Sequence, residues 1–455
     1  MNRTCLPWLC VVVLLMGSAA GLQAAQTALD EYVARPDSTY RYELVRTVHS
    51  DDGAGYVLNM VSQTWRSPDE VDRTEWQHWV LIAVPRVVRH DTALLIIDGG
   101  RNGGDPPSGI DGGTAALAVR TGSVVAHVKI IPNQPLRFTG EDRDRYEDDT
   151  IAYTWDRFLR TGDADWPLQL PMVKSAVRAM DTVQDFVHKL TGNVNVEGFV
   201  VTGASKRGWT TWLTAAVDRR VVAIAPIVID MLNTQPSFQH HRAVYGFYAP
   251  AVRPYEEMGI FARIETPEAE KLMAIVDPFS YRERLAMPKF ILVSAGDQFF
   301  LPDSWRFYYR DLLGPKRLRY VPNCGHGLKD TDALETLQMF YQSVIEGWPL
   351  PEYEFDSPRP GTIRVTCTQR PSQVRLWQAT NPQARDFRVD TFGKEWASTP
   401  LGPESDGSYI GRVDRPEKGF TAFFVELTFP SPGPDPYTFT TGVYIIPDIE
   451  PFARP

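Results

Sequence analysis

The sequence predicts an α/β fold: a mostly parallel sheet with helices on both faces, entered through antiparallel N-terminal strands and followed by a small C-terminal β-sandwich. Three observations predict it. Continuously apolar runs of strand length recur through the middle of the chain, as suits parallel strands buried on both faces. They alternate with helix-patterned segments, which implies an open sheet with right-handed crossovers. Past a proline-rich stretch the pattern becomes short strands separated by Gly/Pro turns.

The chain has 455 residues, more than one average domain, with 43% hydrophobic and 23% charged residues as in ordinary folded proteins. Its net charge of −9 argues against nucleic acid and anionic membrane surfaces as main partners. At the start, Arg3 precedes "WLCVVVLLMG", which gives way to Gly17, Ser18, Ala19 and Ala20. A charged start, a short apolar core and small residues make residues 1–24 a signal peptide, with cleavage after Ala20, Gly21 or Ala24. The run is short for a membrane span, so export to the periplasm or beyond, with no anchor after cleavage, is expected.

Residues 26–348 form the first domain. "YRYELVRTVH", "GYVLNMVSQTW" and "EWQHWVLIAVP" read as the antiparallel entry strands. "ALLIID", "GSVVAHVKI", "NVEGFVVTG", "VVAIAPIVI" and "KFILVSAG" are the buried strands. In "MVKSAVRAMDTVQDFVHKL", Val173, Val177, Met180, Val183, Val187 and Leu190 recur at helix spacing. Residues 233–270, aromatic and proline-containing, break the alternation and read as a lid insertion. "DALETLQMFYQSVIEGW" is the closing helix, residues 349–361 a proline-rich linker, and 362–455 the sandwich, with "TIRVTC", "VRLWQAT", "TAFFVELTF" and "TTGVYIIP" as strands.

The chemistry centres on "FVVTGASKRGWTTWLTAAVD", where Ser205 follows an apolar strand and opens a helix. That is the setting of a nucleophile elbow, G-x-S-x-G, although Arg207 stands where the second glycine belongs. Asp297 in "VSAGDQFFLPDS" and His326 in "RYVPNCGHGL" each follow a strand, and the order Ser, Asp, His is that of α/β-hydrolases. Serine is a poor nucleophile until an imidazole takes its proton, and a carboxylate must fix that imidazole's tautomer. The Lys206 N–H and the Gly99–Gly100 loop in "LIIDGGRNGGDP" are the expected oxyanion donors. No Lys-Ser/Thr follows that loop, which disfavours a phosphate site. Arg101 and Arg207 are candidate substrate contacts, set against solvated loop and first-turn residues.

Competing readings attach to several of these positions. Asp230 in "IVIDMLN" is the reserve acid, and Asp297 or Asp303 can instead cap a helix starting near Pro302. His240 and His241 read as lid surface, because adjacent histidines point apart and no acidic helix motif accompanies them. Neither metal nor cofactor is expected. Cys324 and Cys367 remain after signal removal, either paired or as two thiols.

At "GASKRGWTTWLTAAVDRRV" and "GDQFFLPDSWRFYYRDLLGPKRLRYVPNCGHG" the chain closely resembles the PhoPQ-activated pathogenicity-related protein family. The resemblance runs over nearly all of the mature chain, including "VRLWQATNPQARDFR". It implies an α/β-hydrolase domain followed by a β-sandwich, export, and a link to PhoP/PhoQ-regulated virulence in some bacteria, without a settled substrate. It places serine, acid and histidine on Ser205, Asp297 and His326, with Cys324 where a small residue is expected. The elbow alone also resembles the G-x-S-[KR]-x-G of secreted glucuronoyl esterases, where the basic residue helps hold the oxyanion. That likeness implies a charge contribution from Lys206, or from Arg207 if the turn rotates.

The expectation is therefore an exported serine hydrolase acting on a small-molecule, peptide or glycan-ester substrate, as carbohydrate esterase or peptidase. The alternatives are a secreted binding or signalling protein on the same fold, and a metal-dependent hydrolase.

Overall fold

Alternate side chains of the central strands enter two separate apolar layers, which is why those strands read as unbroken hydrophobic runs. In the computed structural model, which describes residues 26–453, Leu95, Val201 and Ile291 enter one layer, while Leu94, Val200 and Leu292 enter the other. The expected signal peptide lies outside the described residues.

The large sheet comprises β1 (Arg41–Ser50), β2 (Gly53–Thr64), β3 (Glu75–Pro85), β4 (Thr92–Ile97), β5 (Val125–Val128), β6 (Gly198–Ala204), β7 (Val221–Ile227), β8 (Lys289–Ser294) and β9 (Lys316–Val321). Their spatial order is β1-β2-β3-β5-β4-β6-β7-β8-β9. Pairing is antiparallel from β1 to β5 and parallel from β5 onward. With helices on both faces this is the α/β-hydrolase fold, extended by the outer strand β1.

α1 (Ala28–Ala34) starts at a capping box between Thr27 and Asp30. α2 (Gly112–Thr121) packs on β3 and β5. α3 (Glu147–Thr161) has no counterpart in the sequence-based expectation, because three acidic residues in its first turn mask the apolar spacing of Ile151, Trp155 and Phe158. α4 (Gln169–Thr191) is the expected periodic helix and packs with α5 (Lys206–Val217). Residues 233–270, read as a lid insertion, are largely helical. They form α6 (Thr234–Tyr245), α7 (Arg253–Glu257) and the start of α8 (Pro267–Val276). This insertion docks on α3 through Arg263–Asp156 at 2.8 Å and the Trp155–Tyr255 ring pair. α9 (Ala333–Glu346) closes the face opposite α4 and α5.

The proline-rich stretch 349–361 carries β10 (Tyr353–Asp356), so its middle is paired into a sheet. β10 pairs with β11 (Thr362–Cys367), which pairs in turn with β14 (Tyr409–Arg412). The facing sheet runs from β13 (Ala397–Pro400) through β12 (Gln373–Asn381) and β15 (Phe420–Phe429) to β16 (Tyr437–Thr440). β17 (Tyr444–Ile446) also joins β15, and a one-turn helix, α10 (Val389–Phe392), follows β12. Ile363, Val365, Leu376 and Val425 form the apolar interior between the two sheets. The sandwich also covers the edge of the large sheet, where the Tyr320 N–H of β9 donates to Thr440 Oγ1 at 2.9 Å.

Candidate active site

Ser205 sits at the β6–α5 junction with φ 59° and ψ −123°, a conformation a non-glycine residue holds only when its surroundings impose it. Two backbone bonds impose it here. The Ser205 N–H donates to Ile227 O at 2.8 Å, and the Trp209 N–H donates to Ser205 O at 2.9 Å. The helix then crosses close over the strand. A Cβ on Gly203 would lie 2.8 Å from Arg207 O, and one on Gly208 would lie 2.9 Å from Gly203 O. This turn therefore needs its second glycine at position 208, not 207.

The space that Arg207 occupies is provided elsewhere. Its guanidinium crosses Gly99, where a Cβ would lie only 2.7 Å away. It donates to Ile131 O and, in a fork, to Glu147 Oε1 at 2.6 Å and Oε2 at 2.8 Å. Burial opposes ionisation of Glu147, but Arg207 and then Lys206 bring it down to about 2. Gln134 extends the chain of contacts, with Nε2 donating to Glu147 Oε1 at 2.6 Å and to Gly100 O at 3.1 Å. Lys206 is buried and places its ammonium 2.6 Å from Asp148 Oδ2, whose other oxygen accepts from Tyr255 of α7 at 2.9 Å. Neither Lys206 nor Arg207 is the solvated first-turn residue weighed from the sequence. Both are spent on carboxylates of α3, and the run "YEDDT" was the only sequence signal of that pairing.

Register brings the glycine loop beside the elbow, with Ile97 opposite Gly203. The Gly99 N–H is taken by Asp98 Oδ1 at 2.7 Å, which removes it as an oxyanion donor. Gly100, at φ 143°, and Lys206 carry N–H groups with no acceptor among the described residues. Arg101 is exposed, with no ion pair among the described residues.

Asp297 follows β8 and His326 follows β9. His326 Nδ1 lies 2.8 Å from Asp297 Oδ2 and 3.1 Å from Oδ1, with Asp297 itself buried. The Phe299 N–H donates to Asp297 Oδ1 at 2.7 Å, and the His326 N–H donates to Gln298 Oε1 at 2.9 Å. His326 Nε2 is buried with no hydrogen-bond partner among the described residues. The imidazole lies against Phe299, ring centroids 4.3 Å apart, and the Lys206 ammonium lies 5.6 Å from the same ring. Phe299 thus bridges the elbow and the histidine.

The reserve readings resolve by geometry. Asp230 is buried with both oxygens engaged by the hydroxyls of Tyr308 and Tyr320; burial, opposed by those bonds, pushes it up to about 7. It is Asp297 that meets the histidine. Neither Asp297 nor Asp303 caps a helix near Pro302, since the short helix after Asp303 has no side-chain cap. Asp303 is instead buried against Arg385 at 2.8 Å and His240 at 3.2 Å. His240 and His241 are both buried, contrary to their reading as lid surface, and His240 Nδ1 meets Glu450 at 2.6 Å. Among the described residues no group of three His, Cys, Asp or Glu side chains is placed to hold a metal ion. Cys324 and Cys367 are two free thiols, and burial pushes the first up to about 11.

The profile of the PhoPQ-activated pathogenicity-related proteins matches residues 29–388. The chain is 36% identical to autocrine proliferation repressor protein A of Dictyostelium discoideum over 471 aligned positions, covering 97% of this chain and 94% of that protein. Among solved structures it is similar to acetyl xylan esterase 1 from Thermoanaerobacterium sp. JW/SL YS485, at 17% identity and TM-score 0.48, covering 71% of this chain and 92% of that one. It is also similar to a glucuronoyl esterase from Solibacter usitatus, at 13% identity and TM-score 0.39, covering 71% of this chain and 91% of that one. The chain belongs to the PhoPQ-activated pathogenicity-related protein family.

Proposed function

We propose that the protein is an exported serine hydrolase that cleaves an ester or amide through an acyl-enzyme on Ser205. The observation that carries this reading is the buried Asp297 carboxylate on His326 Nδ1, in a hydrolase sheet whose strained elbow presents a serine. With Nδ1–H held by the carboxylate, the lone pair of His326 is on Nε2, the atom that takes the serine proton and later returns it to the leaving group. The oxyanion forms against the N–H groups of Lys206 and Gly100, both without an acceptor among the described residues. The Lys206 ammonium is neutralised by Asp148, so its main-chain N–H is its contribution to the oxyanion. Arg207 supports the wall of the site and does not contact substrate, because Glu147 and Ile131 occupy its guanidinium. Export rests on the charged, apolar and small-residue pattern of residues 1–24.

The test is a panel of ester, peptide and glycan-ester substrates offered to the mature protein. Turnover that disappears in Ser205→Ala supports the reading and names the substrate class. A second reading, a signalling protein that keeps the fold without turnover, is favoured by the name of the Dictyostelium relative. It predicts no turnover across the panel.

A further inference from the structure

The strands end well short of the residues that need most exact placement. β8 stops at Ser294, before Asp297, and β9 stops at Val321, before His326. The two loops hold each other on their inner side, where the Ala295 N–H donates to Val321 O at 2.9 Å and Ser294 Oγ donates to Cys324 O at 2.6 Å. Their outer side is held by a segment much further along the chain.

That segment runs from Arg385 to Trp396 and touches both loops. The Val389 N–H donates to Gly296 O at 3.0 Å, one residue before the acid. The Val389 side chain lies against the glycines that directly precede Asp297 and His326. A Cβ on Gly296 would come within 3.2 Å of Val389 Cβ, and one on Gly325 within 2.9 Å of Val389 Cγ1. Asn323, on the histidine loop at φ 57°, exchanges two bonds with one residue: its Nδ2 donates to Trp396 O and its Oδ1 accepts the Trp396 N–H, both at 2.9 Å. Trp396 is fixed in turn against Phe424 and Phe387 of the sandwich. Arg385 supplies a further anchor on Asp303, with both side chains almost fully buried.

We infer that the C-terminal sandwich is a working part of the hydrolase site, in which Val389 and the Asn323–Trp396 pair are positioning residues for Asp297 and His326. This assignment rests on the serine hydrolase reading and gives the sandwich a role inside it. The sandwich is the outer wall that holds acid and base in register with the serine. Misplacement of a catalytic group by about 1 Å costs on the order of 100-fold in rate, so loosening this wall is felt in the chemical step before it is felt in binding.

The experiment uses full-length mature protein and three variants: Asn323→Ala, Val389→Ala and Asn323→Asp. Asp retains the acceptor for the Trp396 N–H and tolerates a positive φ. The first readout is the rate constant for inactivation by a fluorophosphonate across pH, measured well below each melting temperature. The two alanine variants are expected to react about 10- to 100-fold more slowly, with a displaced pH profile, and Asn323→Asp to recover part of the rate. A merely structural role lowers the reactive fraction and leaves the rate constant of the folded fraction unchanged. The second readout is the low-field proton resonance of His326 Nδ1–H, which is expected to shift or vanish in the alanine variants. Wild-type rate constants together with an unmoved resonance overturn the inference. If the wild-type protein itself does not react, the hydrolase reading falls, and the resonance alone still decides the positioning role.

Discussion

The elbow and the acid–histidine loops solve the same problem by opposite means. Ser205 is placed by its immediate neighbours: a strand behind it, a helix ahead, and glycines at 203 and 208 where backbone crosses backbone. Asp297 and His326 lie on loops that extend past their strands and are held by side chains from the far end of the chain, Val389 and Trp396 among them. The first arrangement is local and survives as a sequence motif. The second is tertiary, and it ties the placement of Asp297 and His326 to the packing of the C-terminal strands.

The sharpest break in this comparison comes from the acid. Asp297→Asn is expected to lower reactivity by about 10⁴-fold, because an amide stabilises the wrong imidazole tautomer and cannot offset the imidazolium charge. Asp230→Asn is expected to retain it, since Tyr308 and Tyr320 already occupy that carboxylate. Labelling rates of the two variants side by side check this, and the reverse order would move the acid to Asp230.

Next in size is the elbow itself. Gly208→Ala brings a methyl group within 2.9 Å of two carbonyl oxygens and the Ile229 side chain. The expected cost is roughly 1–3 kcal/mol, read as a lower denaturation midpoint with loss of Ser205 reactivity. An unaltered midpoint would mean that the helix does not cross the strand this closely.

A smaller effect is expected from the charged wall behind the elbow. Glu147 is held down to about 2 in the folded protein against an ordinary value of 4.5. Its ionised form therefore contributes stability above about pH 4.5, and that contribution is lost as pH falls through 2. In thermal melts, the gap between wild type and Arg207→Ala should narrow across that window. A gap independent of pH would show that the pair does not account for the stabilisation. The smallest expected effect is none at all: a reducing agent should leave the melting temperature unchanged, because Cys324 and Cys367 are free thiols.

Much of the fold was legible in the sequence, because buried parallel strands and entry strands leave strong apolar signatures. The placement of Ser205, Asp297 and His326 just past strands was legible for a related reason, as those strands are themselves apolar runs. What was hidden depended on long-range packing. Arg207 looked like a defect in the elbow motif, and only the approach of Gly99 and Glu147 explains why an arginine fits there. Gly99 looked like an oxyanion donor, yet the neighbouring Asp98 takes its N–H. Positions 349–361 looked like a linker because prolines flank Tyr353–Asp356 on both sides, and only pairing with β11 makes that segment a strand. Val389 and Trp396 carried no signal, since an ordinary apolar residue of a β domain does not advertise which loop it supports.

Everything proposed for this site turns on Ser205 being an activated nucleophile. Its most direct test is fluorophosphonate labelling of the mature full-length protein, with mass spectrometry to locate the adduct. One adduct per chain is expected, on Ser205, and none in Ser205→Ala. A wild-type protein that takes up no label, or an adduct on another residue that persists in Ser205→Ala, would contradict it.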